Sequence, residues 1–222
     1  IKINGKNFLA PIRINVPGDP SSAAFFTALT LINQNSKLKI KNVGLNPTRV
    51  GFYKILKKHG ANIRFTNMKK ENNELRGDII VESSKLKPLK ADKSFYVNST
   101  DEYPILFVIA ALTKGKSVFS GIKDLANKES NRIMEMQKIL KQVGISSVST
   151  KDKIKIHGKG FVSAKNKNII VPDLGDHRIC MSSFILSVLT GAKVKILGFE
   201  TVFTSSPSFL KIMRNLGAKY AS

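Results

Sequence analysis

Cysteine is almost missing from this 222-residue chain, and Cys180 is its single example. One thiol cannot form an intramolecular disulfide or a cysteine-rich metal site. The three histidines are far apart and match no metal-ligand spacing, so we expect no metal ion; they are His59, His157 and His177. A lone cysteine is typical of a reducing compartment, which predicts a cytoplasmic protein.

Long apolar runs are missing as well. The longest, residues 105–112 and 184–189, fall far below the roughly 20 residues needed to cross a bilayer, so we expect no membrane association. The chain begins at Ile1 and shows neither a signal peptide nor a transit pattern. From this start we expect a piece of a longer protein.

Acidic residues are scarce, with 15 Asp and Glu against 37 Lys and Arg, which gives a formal charge of +22. Such a surface attracts polyanions or small anionic substrates, and composition alone does not choose between them. The basic residues are scattered along the chain, as on a lysine-rich solvated surface. Neither an aromatic-rich single-strand platform nor a known recognition motif is present, so we expect no nucleic acid partner.

Three helix endings repeat along the chain: ILKKHGANI, ILKQVGISS and IMRNLGAKY. Each is an amphipathic run closed by a glycine, Gly60, Gly144 or Gly217, which is the residue expected for a left-handed helix cap. The elements around each ending follow the order strand, apolar helix, strand, amphipathic helix and further strands. The pattern predicts one domain over residues 1–222, built from repeats at about 8–85, 92–158 and 160–222.

The predicted fold is α+β, with three βαβαββ units whose apolar helices lie inside and whose sheets lie outside. The apolar helices are expected at 22–32, 102–113 and 178–189, and the amphipathic helices at 48–59, 130–143 and 208–216. Strands are expected at 12–16, 38–43, 62–66, 78–82, 117–122, 169–171 and 194–197, with a hairpin loop over 69–76.

Unusual residues collect where these helices begin. Capping explains Ser21, Ser22, Thr48 and Ser206, because hydroxyl groups accept hydrogen bonds from free backbone N–H groups. Cations oppose the helix dipole there, and Arg49, Lys128, Arg132 and Arg178 all do so. Lys128 and Arg132 are four residues apart, which predicts two charges on one helical face. Several such sites together favour an anion-binding cleft.

Acidic and imidazole groups share these entrances. Glu129 precedes Arg132 by three residues and is either a proton carrier or an acid that complements the helix dipole. Asp101 and His177 are open to the same two interpretations, functional group or helix cap. Cys180 has no activating base at a recognisable spacing, so we expect a core side chain.

At these positions the sequence resembles the family of 3-phosphoshikimate 1-carboxyvinyltransferases, also called EPSP synthases. The resemblance covers almost the whole chain, and KES-x-R with DHR-x-x-M is its most specific part. The matching segments are VPGDPSSAAFF at 16–26, NPTR at 46–49, DEYP at 101–104, KESNRI at 128–133, GDHRICMS at 175–182 and TSSPSF at 204–209.

The resemblance implies transfer of the enolpyruvyl group from phosphoenolpyruvate to the 5-hydroxyl of shikimate 3-phosphate, without metal or organic cofactor. It implies that Glu129 is the acid/base residue, that Asp101 contacts the shikimate hydroxyl and assists as a catalytic base, and that Asp101 and Lys128 bind shikimate 3-phosphate. Arg132, Arg178 and His177 are implied to bind phosphoenolpyruvate. The family is also the glyphosate target of aromatic amino-acid biosynthesis.

Two departures from the family pattern change the expectation. Thr204 stands where the family often has a lysine, and the amino-terminal PGDKS-x-S-x-R segment with its domain is absent, so we expect no turnover by this chain alone. The alternatives are a UDP-N-acetylglucosamine enolpyruvyl transferase, a non-catalytic basic domain that binds polyanions, and a folded but inactive domain.

Overall fold

The structure, a computed structural model, describes residues 2, 4, 5, 8, 11 and 13–221. Its elements follow one another in a mixed order of helices and short strands. The helices are α1 Pro20–Ile32, α2 Gly51–Lys58, α3 Lys93–Tyr96, α4 Tyr103–Ala111, α5 Arg132–Gln142, α6 His177–Thr190, α7 Thr201–Ser205 and α8 Phe209–Asn215. The strands are β1 Lys37–Gly44, β2 Asn62–Glu71, β3 Glu74–Glu82, β4 Lys90–Ala91, β5 Gly115–Ser120, β6 Ser146–Thr150, β7 Lys153–Gly158, β8 Asn168–Val171 and β9 Lys193–Ile196.

Three apolar helices form the interior. Helices α1, α4 and α6 contact one another pairwise, and all nine residues of α4 are buried. Helices that are apolar on every side are stable only where other elements surround them, because no face can be left to water. The predicted placement of these three helices inside the fold is confirmed.

Three sheets lie around the inner helices. The first is antiparallel with the order β1-β3-β2, and the second has the order β4-β5-β7-β6. The third pairs β8 with β9 in parallel. Side chains alternate between exposed and half-buried along most of β1, and between half-buried and buried along the first four residues of β7, which is the pattern of strands with one face turned toward a core.

The amphipathic helices end as expected. Gly60, Gly144 and Gly217 follow α2, α5 and α8 with φ of 100°, 80° and 96°. This left-handed conformation is strained for residues with a Cβ atom, so glycine closes each helix without that cost. The predicted glycine caps are confirmed, as is the mixed α+β class.

Several predicted boundaries are wrong. Residue 12 of the strand predicted at 12–16 lies outside the described residues, and 13–16 form no strand. Residues 69–76 are mostly strand, because β2 and β3 continue to a two-residue turn at Asn72 and Asn73, both of which have positive φ. Asparagine tolerates this conformation, which shortens the turn.

Among the residues that the structure describes, the repeated order is complete only in the second unit. There a strand, a buried helix, β5, α5 and the β6–β7 hairpin follow in turn. Among the described residues, the third unit has no strand after α8. No helix in the described part of the chain is long and apolar enough to cross a bilayer.

Candidate active site

Four chain segments meet at the amino-terminal ends of the inner helices. They are the start of α1, the short 3₁₀ turn Thr100–Glu102 before α4, the loop that leads into α5, and the start of α6. Ion pairs connect the last three of these segments. We call Asp101, Glu129, Arg132, Asp176 and Arg178 the arginine cluster.

Arg132 is the centre of the cluster. Its side chain is only 1% exposed, although it is the first residue of α5. The guanidinium donates from Nε to Asp176 Oδ2 at 2.9 Å and from Nη2 to Glu129 Oε2 at 2.6 Å. Its Nη1 lies 3.5 Å from Asp101 Oδ1. Three carboxylates therefore surround one buried cation.

Asp176 is the buried partner of the Arg132 guanidinium. The side chain is fully buried, accepts a hydrogen bond from Ser130 Oγ at 2.9 Å, and caps α6 by accepting from the backbone N–H of Arg178 at 2.9 Å. Burial alone would raise the pKa of Asp176, but the hydrogen bond and charge of Arg132 outweigh it and hold the pKa below its ordinary value. The carboxylate therefore stays ionised.

Asp101 joins the two arginines at the more exposed side of the cluster. Its Oδ1 faces Arg132, while Oδ2 lies 3.5 Å from Arg178 Nη2, and the Asp101 side chain is 42% exposed. Arg178 is buried, yet its Nε has no hydrogen-bond partner within the described part of the chain. A buried donor without a partner is costly, so this guanidinium has binding capacity to spare.

His177 belongs to the same region and Lys128 stands apart. Burial first, and the charge of Arg178 second, lower the pKa of His177 below its ordinary value, so the imidazole is neutral at pH 7. Lys128 is exposed, and its side chain forms no hydrogen bond or ion pair with a described residue. The structure thus joins four of the six expected site residues by ion pairs, places His177 within the influence of their charges, and leaves Lys128 outside these contacts.

A second polar group lies beside the cluster and was not recognised as a site from the sequence. Glu102 is 4% exposed, and its Oε1 accepts a short hydrogen bond from Ser21 Oγ of α1. Arg49 Nη2 lies 3.2 Å from Ser21 Oγ and 3.3 Å from Asp19 Oδ1. Burial raises the pKa of Glu102, against the Ser21 hydrogen bond and the charge of Arg178. The sequence signals for this group are the adjacent acids in DEYP and the cation Arg49, and neither indicates that Glu102 and Ser21 meet.

The capping interpretation of the hydroxyl residues is wrong. Asp19 caps α1, Ser21 donates to Glu102, and the Ser22 hydroxyl donates to Asp19. Helix α2 begins only at Gly51, beyond Thr48, and Ser206 follows the end of α7. The cap of α1 is the carboxylate of Asp19 and not a hydroxyl, because Asp19 directly precedes the first helical residue and its side chain accepts from the backbone N–H groups of both Ser21 and Ser22.

The predicted conflict with the helix dipole holds for only two of the four cations. Arg49 and Lys128 precede α2 and α5, so they are not in a first helical turn, and Lys128 shares no helical face with Arg132. Arg132 and Arg178 do stand in first turns. For Arg132, protein carboxylates relieve the conflict where we expected a bound anion.

The remaining candidates have structural positions. Cys180 is buried in α6, and burial raises the pKa of its thiol to about 12, so it is a core residue as predicted. Thr204 is exposed and donates to the carbonyl of Thr201 at 2.8 Å. Within the described residues, no three His, Cys, Asp or Glu side chains are placed to hold a metal ion.

The cluster can bind an anion and carry a proton at the same place. Two buried guanidinium groups offer planar, permanently charged donors that suit carboxylate or phosphate. Glu129 and Asp101 are 46% and 42% exposed, so both reach solvent while touching those donors. This arrangement fits a reaction of a small anionic substrate in which protons are transferred.

Comparisons with known proteins agree on one family. The profile of EPSP synthase (3-phosphoshikimate 1-carboxyvinyltransferase) matches residues 1–213. Curated relatives named 3-phosphoshikimate 1-carboxyvinyltransferase include those of Zymomonas mobilis, 38% identical over 99% of this chain and 49% of that protein, and Persephonella marina, 36% identical over 97% and 49%. The chain therefore spans about half the length of these relatives.

Solved structures give the same result for the fold. EPSP synthase from Acinetobacter baumannii superimposes with a TM-score of 0.87 at 34% identity, over 96% of this chain and 51% of that one. The enolpyruvyl transferase NikO from Streptomyces tendae, at 11% identity and a TM-score of 0.66 over 90% of this chain and 43% of that one, shares the fold. By its profile match and its relatives, the chain belongs to the EPSP synthase family.

Proposed function

We propose that residues 1–222 form the phosphoenolpyruvate-side domain of a 3-phosphoshikimate 1-carboxyvinyltransferase. The enzyme transfers the enolpyruvyl group of phosphoenolpyruvate to the 5-hydroxyl of shikimate 3-phosphate and releases phosphate, without metal or organic cofactor. An amino-terminal domain supplies the rest of the site, since the chain spans half the length of its relatives. The cytoplasmic location and inhibition by glyphosate remain predictions.

One observation carries the proposal. Arg132, Arg178, Glu129 and Asp101 come from three separate helix entrances, and they meet within hydrogen-bond or ion-pair distance of one another. A structural role for each residue alone would not require this convergence. Two cations and two solvent-reaching acids in one place match the needs of a phosphorylated substrate that gains and loses protons.

The first step is substrate binding. The guanidinium groups of Arg132 and Arg178 hold the phosphate and carboxylate of phosphoenolpyruvate, and the unpartnered Nε of Arg178 supplies one donor. Glu129 and Asp101 occupy part of this donor set in the structure, so the substrate competes with them for the arginines. Competition frees both carboxyl groups to act on the reacting atoms. The neutral His177 adds no charge beside this clamp.

The chemistry then needs three proton transfers. Asp101 accepts the proton of the 5-hydroxyl as the hydroxyl oxygen bonds to C2 of phosphoenolpyruvate, and Glu129 in its protonated form delivers a proton to the methylene C3. The tetrahedral adduct collapses when Glu129 takes a proton back from C3, the C2–C3 double bond forms again, and the C2–O bond to phosphate breaks. The phosphate leaves with the proton that Asp101 accepted. Lys128, exposed beside Glu129, is free to contact shikimate 3-phosphate.

The test is phosphate release from phosphoenolpyruvate and shikimate 3-phosphate, by this chain alone and after mixing with a matching amino-terminal domain. We expect release only from the mixture, and a roughly 10²–10⁴-fold loss of kcat in Glu129→Gln. Glu135→Gln is the control, because Glu135 lies on α5, the helix that follows Glu129, and pairs with Lys138 at 2.7 Å, outside the cluster.

Two outcomes would contradict the proposal. A folded mixture without phosphate release would reopen the polyanion-binding alternative, which salt-dependent binding of a nucleic acid would support. Release with UDP-N-acetylglucosamine as acceptor, and none with shikimate 3-phosphate, would favour the related transferase. The names of the curated relatives support the shikimate substrate.

A further inference from the structure

The buried carboxylate of Glu102 has no part in the chemistry described above, although it directly follows Asp101. The two side chains diverge from the same 3₁₀ turn, Thr100–Glu102. Asp101 extends toward the two arginines, whereas Glu102 extends into the protein and meets Ser21 of α1. One turn therefore carries an exposed acid toward the substrate side and a buried acid toward the core.

The partner of Glu102 stands on a firmly held element. The first turn of α1 is capped by Asp19, which accepts from the backbone N–H of Ser21 at 3.3 Å and of Ser22 at 2.9 Å. The hydroxyl of Tyr53 donates to the carbonyl of Pro20 at 2.7 Å in the buried interior. Ser21 Oγ is consequently a fixed point, 81 residues away from Glu102 along the chain.

Asp101 has weaker support of its own. Both of its contacts to the arginines measure 3.5 Å, the limit for a hydrogen bond, and the side chain is 42% exposed. Such contacts do not hold a carboxylate in one place. The turn that carries Asp101 must then be held by its neighbours in the chain, and Glu102 is the neighbour with a long-range hydrogen bond.

We propose that Glu102 is a positioning residue for enolpyruvyl transfer, because its hydrogen bond to Ser21 anchors the turn that presents Asp101 to Arg132 and Arg178. This inference rests on the proposed function. The anchor acts on Asp101 and not on the substrate, so its loss reduces the rate of the chemical step more than it weakens substrate binding.

The experiment measures phosphate release by the enzyme completed with its amino-terminal domain. Glu102→Ala removes the acceptor, and we expect kcat to fall about 10–100-fold with the KM for phosphoenolpyruvate within about threefold of the wild-type value. Glu102→Gln keeps a carbonyl oxygen that can accept from Ser21, so it should retain kcat within about threefold. The conservative variant thus restores what alanine removes.

A double-mutant cycle identifies the anchor itself. Ser21→Ala should lower kcat as Glu102→Ala does, and combining both should cause no further loss, because each breaks the same hydrogen bond. Asp78→Asn is the control for general destabilisation: Asp78 is a largely buried acid of the first sheet that accepts from Asn42 and Asn67, and its change should leave kcat unaltered.

The possible results separate this inference from the proposed function. An inactive wild-type mixture would refute the proposed function, and the inference would fall with it. If the wild-type mixture is active, two results would refute the inference: an unchanged kcat in Glu102→Ala, or independent effects of Ser21→Ala and Glu102→Ala. Either result would show that the backbone hydrogen bond from Glu102 N to Ser99 O, at 3.1 Å, holds the turn without the side chain. Equal losses in Asp78→Asn would also refute a specific role for Glu102.

Discussion

The two arginines of the cluster stand in matching positions at helix starts, yet their surroundings differ. Arg132 is fully enclosed, with two short hydrogen bonds and three carboxylates around it. Arg178 is nearly as buried, but among the described residues it has a single ion pair, at 3.5 Å, and an Nε without a partner. Without substrate, carboxylates of the protein occupy the donors of Arg132, whereas Arg178 retains a donor for a ligand.

This difference shows that burial and availability are separate properties of a charged side chain. Asp176 keeps Arg132 in place and caps the helix that carries Arg178, so a single acid supports both cations. A buried charge that loses its partner is strongly destabilising, whereas a partly paired cation at a site entrance costs the fold little. Arg132 therefore supports the fold in addition to its proposed contact with substrate, whereas Arg178 contributes mainly to binding. We call Arg132 with Asp176 the supporting half and Arg178 the binding half.

The largest effect is expected from Asp176→Ala, which breaks the supporting half. The change leaves Arg132 without its buried partner and α6 without its cap, so the free energy of unfolding should fall by about 3–5 kcal/mol. Urea unfolding of the protein measures it. Asp173→Ala, three residues earlier and exposed, should change stability far less. Equal losses for both variants would show that Arg132 does not depend on Asp176.

The same substitution at each arginine sharpens the contrast. Lysine keeps the charge but loses the planar set of donors. Arg132→Lys should cost about 2–3 kcal/mol of unfolding free energy, because its charged hydrogen bonds are lost. Arg178→Lys should cost less than about 1 kcal/mol. Under the proposed function it should also raise the KM for phosphoenolpyruvate roughly tenfold, measured by phosphate release from the enzyme completed with its amino-terminal domain. Similar stability losses at the two positions would contradict the division into supporting and binding halves.

A smaller effect concerns the pH dependence of folding stability that His177 causes. The pKa of His177 is lower in the folded chain than in the unfolded chain. Near and below about pH 6.5 the unfolded chain therefore binds more protons than the folded chain does. The free energy of unfolding consequently decreases as the pH falls through this range. Unfolding measured from pH 5 to 7 should vary less in His177→Gln than in the wild type. An unchanged slope would place the imidazole in solvent.

Much of the fold could be predicted from local pattern. Amphipathic periodicity and a closing glycine identify α5 with its cap at Gly144, and an unbroken apolar run identifies the buried α4. Both signals lie within a single element, so no knowledge of distant residues is needed. The resemblance of DEYP, KESNRI and DHRICMS also identifies Asp101, Glu129, Arg132, His177 and Arg178, which lie in one region of the structure.

The parts that failed depend on contacts between distant segments. Ser21 looked like a cap because its hydroxyl stands at a helix start, and its bond to Glu102 joins residues from two units. The predicted amphipathic helix begins at Ser130, two residues before the observed start of α5 at Arg132. Ser130 instead donates its hydroxyl to Asp176, the cap of α6. Neither partner is visible in the local sequence.

Cys180 places a thiol that can be chemically modified in the core beside the two arginines. Its thiol is buried on α6, two residues after Arg178, and a pKa of about 12 leaves almost no reactive thiolate at neutral pH. A thiol reagent can therefore modify it only when this inner helix separates from its neighbours. The rate at which a thiol reagent modifies Cys180 in the unsubstituted chain therefore reports how often the core beside the arginine cluster opens.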